Sequence, residues 1–274
     1  MGELGRVSIV VPTCNRPGPL AELLESLFRQ THRRLQLVVI NVGAVPVAGV
    51  LALYPELDPT LVEMRGGNHV LARNRGVELA SGDWTMLCDD DDLLLPGHVE
   101  RMLREIGDRD LVYSDMEVFE YRTDASGIRQ PTGRFVFAYE HDLTAMRRFS
   151  TFAASGCLFR RELLSRIGPF DPAMDNYWDW DFYLRAVAAG KVWRAPVASV
   201  LYAFAQDQDH MSAPHWTHRA SLDRLAAKHG LGPLPTANFF TLLREPEVLR
   251  RRARTEVLWD GEPFTPRRAV GARE

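Results

Sequence analysis

The chain has 274 residues, of which 46% are hydrophobic and 25% are charged. This length and composition are typical of a globular protein with a sizeable core, and they exclude a disordered or fibrous chain. The net charge of −3 argues against nucleic acid as a partner, because nucleic-acid binding normally requires a basic excess.

Three cysteines, Cys14, Cys88 and Cys157, are too few and too widely spaced for a disulfide framework or a thiolate zinc site. A reduced, cytoplasmic setting is therefore expected, and no signal peptide is predicted at the N-terminus. The apolar run 37–53 is nearly long enough to cross a membrane. Its Pro46 and its β-branched first half favour a buried strand, a turn and the start of a helix over a transmembrane segment.

The chain opens with a β-branched run over 7–12 that predicts a strand buried on both faces of a parallel sheet. After a polar loop, leucines at helical spacing predict a helix over 20–28, and residues 35–40 form a second predicted strand. A strand, helix and strand in this order indicate a parallel α/β unit.

The alternation of strands and helices continues to about residue 115. A helix is predicted over 70–80, a strand over 84–88, a helix that begins near Pro96, and a strand over 110–115. In open α/β sheets, ligands bind at the loops that follow the carboxyl ends of the strands. We therefore expect residues 1–115 to form an α/β half with a ligand site at this edge.

From Met116 onward, alternating aromatic and polar residues predict antiparallel strands or hairpins. Helices are predicted over 160–167 and 179–189, and a strand over 200–204. Residues 116–212 are expected to form the second half of the same domain, and residues 213–274 a helical, arginine-rich extension.

Four consecutive aspartates, Asp89 to Asp92, follow the predicted strand over 84–88. Adjacent carboxylates repel one another, and a divalent cation that prefers oxygen ligands would relieve the repulsion. In an extended segment Asp89 and Asp91 would face the same side. Arg73 and Asn74 on the preceding helix could bind a diphosphate that such a cation also contacts. The alternatives are a solvated acidic loop that caps the next helix, and ordinary surface residues on the preceding one.

A second acidic pair, Asp179 and Asp181, flanks Trp180 at the start of a predicted helix. Apolar neighbours could raise the pKa of a carboxylate here and make it a general base, whereas the simpler interpretation is a helix cap within an aromatic core. His210 lies in an acidic segment and is a candidate metal ligand, although most lone histidines have no such role. No glycine-rich phosphate loop is present, which argues against dehydrogenases and kinases.

In their order and spacing, these motifs resemble the large family two of inverting glycosyltransferases with the GT-A fold. The resemblance spans about residues 6–212. It rests on the segments Val7–Arg16, Gln30–Thr31, Leu71–Gly76, Ala80–Asp83, Leu87–Asp92 with Leu95–Pro96, Gly168–Asp171 and Asp179–Arg185.

The resemblance implies an α/β GT-A fold: a mixed sheet, flanking helices, an acceptor subdomain and a helical C-terminal tail. Residues 1–115 would then be the nucleotide-sugar-binding half, and residues 116–212 the acceptor-binding half of the same domain. It further implies a nucleoside-diphosphate sugar as donor, Mn²⁺ or Mg²⁺ as cofactor, and a glycan, lipid-linked or small-molecule acceptor. Asp179 would be the general base of a single displacement, with Asp181 in reserve. The implied metal ligands are Asp89, Asp91 and His210. The implied donor-binding residues are Pro12, Thr13, Asn15, Arg16, Asn41, Arg73, Asn74, Asp89 and Asp90.

Three positions depart from the family pattern. Residues 41–44 read Asn-Val-Gly-Ala where the family usually has two aspartates, a glycine and a serine, so the carboxylate that reads uracil is missing there. Trp178 replaces the first member of the acidic pair that contains Asp179. The late metal ligand aligns with Asp207, whereas His210 is the nearest histidine.

These departures leave alternatives open. A catalytically degenerate member that binds nucleotide or glycan without transfer is one, and a nucleotidyltransferase is another, although the latter normally has a glycine-rich loop and an N-terminal lysine. The arginine-rich segment 250–254 could contact the inner face of a membrane or a second copy in a homodimer, whereas a solvated helix face is the simpler interpretation.

Overall fold

A computed structural model of the protein describes residues 4–204, 218–236 and 239–267. The strands are β1 (Val7–Thr13), β2 (Leu35–Asn41), β3 (Pro59–Glu63), β4 (Trp84–Leu87), β5 (Leu93–Leu94), β6 (Leu111–Thr123), β7 (Arg129–Phe137), β8 (Leu158–Arg160), β9 (Val192–Phe204) and β10 (Glu256–Val257). The α-helices are α1 (Pro17–Phe28), α2 (Ala48–Leu51), α3 (His69–Leu79), α4 (His98–Ile106), α5 (Arg161–Ile167), α6 (Trp178–Ala189), α7 (His218–His229), α8 (Phe239–Leu242) and α9 (Pro246–Arg250). Short 3₁₀ helices cover Pro55–Leu57, Ala145–Arg147 and Pro172–Tyr177.

The described strands form one mixed sheet in the order β10-β9-β6-β8-β4-β1-β2-β3, with β5 paired to β9 and β7 paired to β6. Strands β4, β1, β2 and β3 are mutually parallel, whereas β8 runs antiparallel between β4 and β6. Every residue of β1 and β2 is buried, as expected for parallel strands that helices cover on both faces. This confirms the predicted parallel α/β unit.

Helix α3 packs unusually close to β1. A Cβ atom added to Gly76 would overlap Cγ1 of Val10, so only glycine permits this approach. Val10 belongs to the same core as Val70 and Ala72 of α3, whereas Ile9 and Val11 of β1 belong to the core that α1 covers. The close approach brings the polar face of α3 to the carboxyl end of the parallel strands.

Several boundaries differ from the predictions. Strand β6 runs without interruption from Leu111 to Thr123, so the expected division at residue 115 falls inside a strand that both halves share. The predicted hairpin after Met116 is β6 paired with β7. Strand β3 was not predicted, because it is short, begins with Pro59 and is only partly buried.

The C-terminal extension is only partly helical, because β10 pairs in parallel with β9 after α9 ends at Arg250. The segment 250–254 is therefore not a helix face, although Arg250, Arg252 and Arg254 are exposed to solvent as that interpretation expects. Arg251 is buried, and its guanidinium donates a hydrogen bond of 3.0 Å to Oγ1 of Thr151. Among the described residues, no helix is long and apolar enough to cross a membrane, and the apolar run 37–53 is divided between β2 and α2.

Candidate active site

Polar residues meet where the parallel strands end. Thr13 ends β1 and is paired with Asn41, the last residue of β2. The acidic run begins two residues after β4, the other neighbour of β1. The sheet therefore places the loops after β1, β2 and β4 side by side at the edge where open α/β sheets bind ligands.

Three of the four aspartates in the run are held by neighbouring side chains. Oγ1 of Thr13 donates a 2.6 Å hydrogen bond to Oδ2 of Asp90, and Nη1 of Arg16 donates a 2.6 Å bond to Oδ2 of Asp91. Arg73 forms an ion pair with Asp89. The Asp89 and Asp91 side chains are 40% and 23% exposed, whereas Asp90 and Asp92 are buried. The first and third carboxylates thus face the solvent side of the site.

Burial changes the protonation of the two inner aspartates. Burial and the negative charge of Asp91 raise the pKa of Asp90 to about 7, although Thr13 and Arg16 oppose the shift. Burial and the charges of Asp91 and Asp89 raise the pKa of Asp92 well above its ordinary value. The run therefore carries fewer than four negative charges near neutral pH.

Arg73 lies at the centre of the site. Its guanidinium lies 4.0 Å from the centroid of the Trp178 ring, and its Nη1 is 2.8 Å from Nδ1 of His69. The side chain is buried, so its charge is compensated by Asp89 and by the ring face of Trp178. Trp178, which stands where the family pattern has an acid, thus makes a cation–π contact with Arg73.

Asp179 lies in the first turn of α6, beside Arg73 and the acidic run. Its Oδ1 accepts a 2.8 Å hydrogen bond from the backbone N–H of Trp180. Burial raises the pKa of Asp179 to about 6, and the charge of Asp89 adds to the shift, whereas Arg73 and the Trp180 N–H oppose it. A carboxylate with this pKa is ionised at pH 7 and is a stronger base than an ordinary aspartate.

Asp181 does not join this group. It is fully buried, and its Oδ2 accepts a 2.9 Å bond from Nε of Arg185. Its Oδ1 lies 2.7 Å from Nζ of Lys228 and 2.8 Å from Nε2 of His229, both on α7. Asp181 therefore links α7 to the helix that carries Asp179. No local pattern in the sequence could have indicated these two partners, because they lie more than 45 residues away.

Arg129, at the start of β7, was not among the predicted site residues. Its Nη1 donates a 2.6 Å hydrogen bond to the backbone carbonyl of Asp91, and its Nε donates a 2.6 Å bond to Oε2 of Glu22 on α1. The Arg129 and Glu22 side chains are each 3% exposed. This buried pair holds the backbone of the acidic run in place through the Asp91 carbonyl. No spacing in the sequence indicates that Arg129 and Glu22 are partners.

The remaining predicted donor-binding residues have structural contacts. The side-chain amide of Asn74 donates to the backbone carbonyl of Phe170 and accepts from its N–H, both at 2.8 Å, so Asn74 holds a loop and does not reach the acidic run. Pro12 is buried within β1. Oδ1 of Asn15 accepts from the backbone N–H groups of Ala44 and Val45, at 2.8 and 3.0 Å.

The carboxylates fit a cation that phosphate oxygens help to bind. Among the described residues, no three His, Cys, Asp or Glu side chains are grouped so that they could enclose a metal ion. Mg²⁺ and similar ions typically bind one or two carboxylates and complete their coordination with phosphate or water. Asp89 and Asp91 have suitable oxygen atoms and exposure. His210 and Asp207 lie outside the described residues.

The mixed sheet, its flanking helices and the acidic run at the ends of the parallel strands define a glycosyltransferase with the GT-A fold. The sequence model of Glycosyl transferase family 2 matches residues 8–168 of the chain. The protein therefore belongs to glycosyl transferase family 2, as its motifs predict. This membership also removes the nucleotidyltransferase alternative.

Individual relatives agree with this assignment. The chain is 49% identical over 264 residues to "Uncharacterized glycosyltransferase YwdF" of Bacillus subtilis, covering 96% of this chain and 98% of that protein. Two solved structures share the fold. S. aureus TarS 1-349 in complex with UDP-GlcNAc has a TM-score of 0.64 at 16% identity, covering 90% of this chain and 72% of that one. The mannosyltransferase PcManGT of Pyrobaculum calidifontis, in complex with GDP-Man and Mn²⁺, has a TM-score of 0.59 at 21% identity, covering 85% and 66%.

Proposed function

We propose that the protein transfers a sugar from a nucleoside-diphosphate donor to an acceptor hydroxyl in a single displacement that inverts the anomeric carbon. The observation that carries this proposal is the position of Asp179, whose pKa is raised to about 6, beside Arg73 and Asp89 at the carboxyl edge of the sheet. Asp179 takes the proton from the acceptor hydroxyl. At the same time the acceptor oxygen bonds to the anomeric carbon, and the bond from that carbon to the diphosphate breaks.

The donor diphosphate binds at the acidic run, where Arg16 and Arg73 contribute positive charge. Both guanidiniums are paired with carboxylates in this structure, and each has further N–H groups for phosphate oxygens. Asp89 and Asp91, with His210 or Asp207 as a further candidate ligand, would hold Mn²⁺ or Mg²⁺. A bound cation would neutralise charge on the departing diphosphate. The nucleotide sugars in the TarS and PcManGT structures, and the Mn²⁺ in the latter, support this proposal.

The acceptor side is assigned to residues 116–212, which include the hairpin of β6 and β7 and the helix that carries Asp179. Residues 1–115 form the donor side in this proposal, and α7 from the extension supports α6 through Asp181. The proposed acceptor is a glycan, a lipid-linked molecule or a small molecule.

The experiment incubates the purified protein with a panel of nucleotide sugars and acceptors, with Mn²⁺ or with chelator, and follows release of nucleoside diphosphate. We expect release with at least one donor and its loss in chelator. Asp179→Asn should lower turnover at least about 100-fold, the range of a lost general base, while nucleotide binding persists. Asp108→Asn is the matched control, because Asp108 is exposed and pairs with Lys191 far from the site.

Two results would contradict the proposal. Full turnover by Asp179→Asn would exclude this residue as the base. A product that retains the configuration of the donor sugar, measured by NMR of the anomeric proton, would exclude the single displacement.

A further inference from the structure

The last residues of three adjacent strands form a row along the edge of the sheet. Thr13 of β1 is paired with Asn41 of β2, and Asn41 is paired with Glu63 of β3. Paired residues on neighbouring parallel strands project to the same face, and the strands are about 4.8 Å apart. The row therefore extends about 10 Å from Thr13, which binds Asp90 of the acidic run, to Glu63 on the edge strand.

Within this row, the Asn41 side chain makes hydrogen bonds to three neighbouring residues. Its Nδ2 donates to the backbone carbonyl of Val45 at 3.0 Å and to Oε2 of Glu63 at 2.9 Å. Its Oδ1 accepts from the N–H of Gly43 at 3.0 Å. Asn41 thus uses both of its donors and one acceptor site to shape the loop after β2 and to position Glu63.

Glu63 is the exposed end of the row. Its side chain is exposed, and among the described residues its Oε1 makes no hydrogen bond. An ionised carboxylate only accepts hydrogen bonds, so a ligand that meets Oε1 must donate one. The contact with Asn41 limits the orientations of the Glu63 carboxylate. A ligand that binds this carboxylate therefore loses less side-chain entropy than it would at a freely rotating surface glutamate.

The loops around Glu63 are also fixed. The N–H of Met64 donates to the carbonyl of Asn41 at 2.8 Å, which ties the start of the loop after β3 to β2. A Cβ on Gly43 would lie 2.5 Å from the backbone nitrogen of Asn15, so glycine permits the loop after β2 to lie against the loop after β1. Glu63 therefore occupies a defined place beside the proposed donor site.

We propose that Glu63 reads the base of the donor nucleotide by accepting a hydrogen bond from a ring N–H, and that the base is uracil, thymine or guanine. This inference rests on the proposed function, which places the diphosphate at the acidic run. A nucleoside diphosphate is elongated, and from there its base can extend along the row of Thr13, Asn41 and Glu63. Adenine and cytosine carry an unprotonated ring nitrogen at the corresponding position, and its lone pair would face the carboxylate unfavourably.

Glu63 would thus supply, from the neighbouring strand, the carboxylate that is missing from residues 41–44. Glu63 lies on β3, one strand further from the acidic run than residues 41–44. The pairing of β2 with β3 is what brings the two residues together, although they are 22 positions apart in the chain.

The experiment measures the dissociation constants of UDP, dTDP, GDP, CDP and ADP by calorimetry with Mn²⁺ present. The wild-type protein, Glu63→Gln and Glu162→Gln are compared. Glu162 is an exposed glutamate on α5 and serves as the matched control. We expect the wild type and the control to bind at least one of UDP, dTDP and GDP about tenfold or more tightly than CDP and ADP, as one charged hydrogen bond implies.

Glu63→Gln should lose this preference, because glutamine can also donate a hydrogen bond to the ring nitrogen of cytosine or adenine. Equal binding of all five nucleotides by the wild type, or an unchanged preference in Glu63→Gln, would overturn the assignment of Glu63 while leaving the proposed function intact. If none of the five nucleotides binds, the proposed function is itself wrong and this assignment falls with it. A melting temperature equal to that of the wild type establishes that Glu63→Gln is folded.

Discussion

Replacement of Asp179 by asparagine separates its proposed catalytic role from its effect on stability. Asparagine has almost the same shape, and its side-chain oxygen can still accept the hydrogen bond from the N–H of Trp180. The substitution removes the proposed base and also removes a carboxylate that is costly to ionise in its buried position. We therefore expect activity to fall and stability at neutral pH to rise.

The magnitude follows from the shift in pKa. The ordinary value of 3.8 is raised to about 6, mainly by burial, and the charge of Asp89 is a smaller cause. A cation bound at Asp89 would cancel only the smaller part of this pKa shift, because burial causes most of it. With a pKa of about 6, the ionised fraction falls from about nine-tenths at pH 7 to about one-tenth at pH 5, so kcat/KM should fall about tenfold. An unshifted aspartate would remain almost fully ionised at pH 5.

The effect on stability has the opposite direction. Between pH 3.8 and about 6 the folded protein holds this proton more tightly than the unfolded chain, so the contribution of Asp179 to stability decreases as pH rises through that window. Above pH 6, Asp179→Asn should therefore be more stable than the wild type, by at most about 3 kcal/mol. Below pH 3.8 the two proteins should unfold at the same denaturant concentration.

The assays are a pH profile of kcat/KM from pH 5 to 8 and urea unfolding without metal at pH 7 and pH 3.5. Asp108→Asn again serves as the control in both. A profile that stays flat down to pH 5 would refute the assignment of a raised pKa to the base. Lower stability of Asp179→Asn at pH 7 would refute the argument that burial opposes its ionisation.

Two further predictions concern buried charges that support the site. Arg129→Met leaves Glu22 buried without its partner and removes the hydrogen bond to the Asp91 carbonyl. The free energy of unfolding, measured in urea, should fall by about 3–5 kcal/mol. Arg129→Lys should recover part of this stability. Asp181→Asn removes the carboxylate that binds Arg185, Lys228 and His229, so it should destabilise the protein at pH 7 by a similar amount, in contrast to Asp179→Asn on the same helix. Unfolding midpoints equal to that of the wild type would contradict either prediction.

Much of the fold was predictable from local patterns. The runs at 7–12 and 35–40 are apolar and rich in β-branched residues, and both lie close to the predicted strands. The strand at 84–88 and the helix over 70–80 also lie close to their predicted positions. The helix after Pro96 also presents the expected apolar face to the core. An apolar run or an apolar helix face identifies an element in the sequence because that surface is buried in the core. Strand β3 lacks both signals and was missed.

The candidate site was predictable only in part. The position of the acidic run after a buried strand indicated where a ligand would bind, and the GT-A fold and membership of glycosyl transferase family 2 are confirmed. The roles of individual residues were harder to assign. Asn74 was expected to contact a diphosphate, yet both ends of its amide bind the backbone of Phe170, which lies 96 positions away.

The sequence by itself determined the parallel α/β half, the acidic run at its edge and the family, because these depend on the order of residues along short segments. Only the tertiary structure decided which of two aspartates on α6 faces the site. Asp179 lies beside Arg73, whereas Asp181 turns toward Lys228 and His229. The physical reason is that the pKa and the partners of a carboxylate depend on what packs around it. Here those neighbours come from α3 and α7, which are distant in the chain.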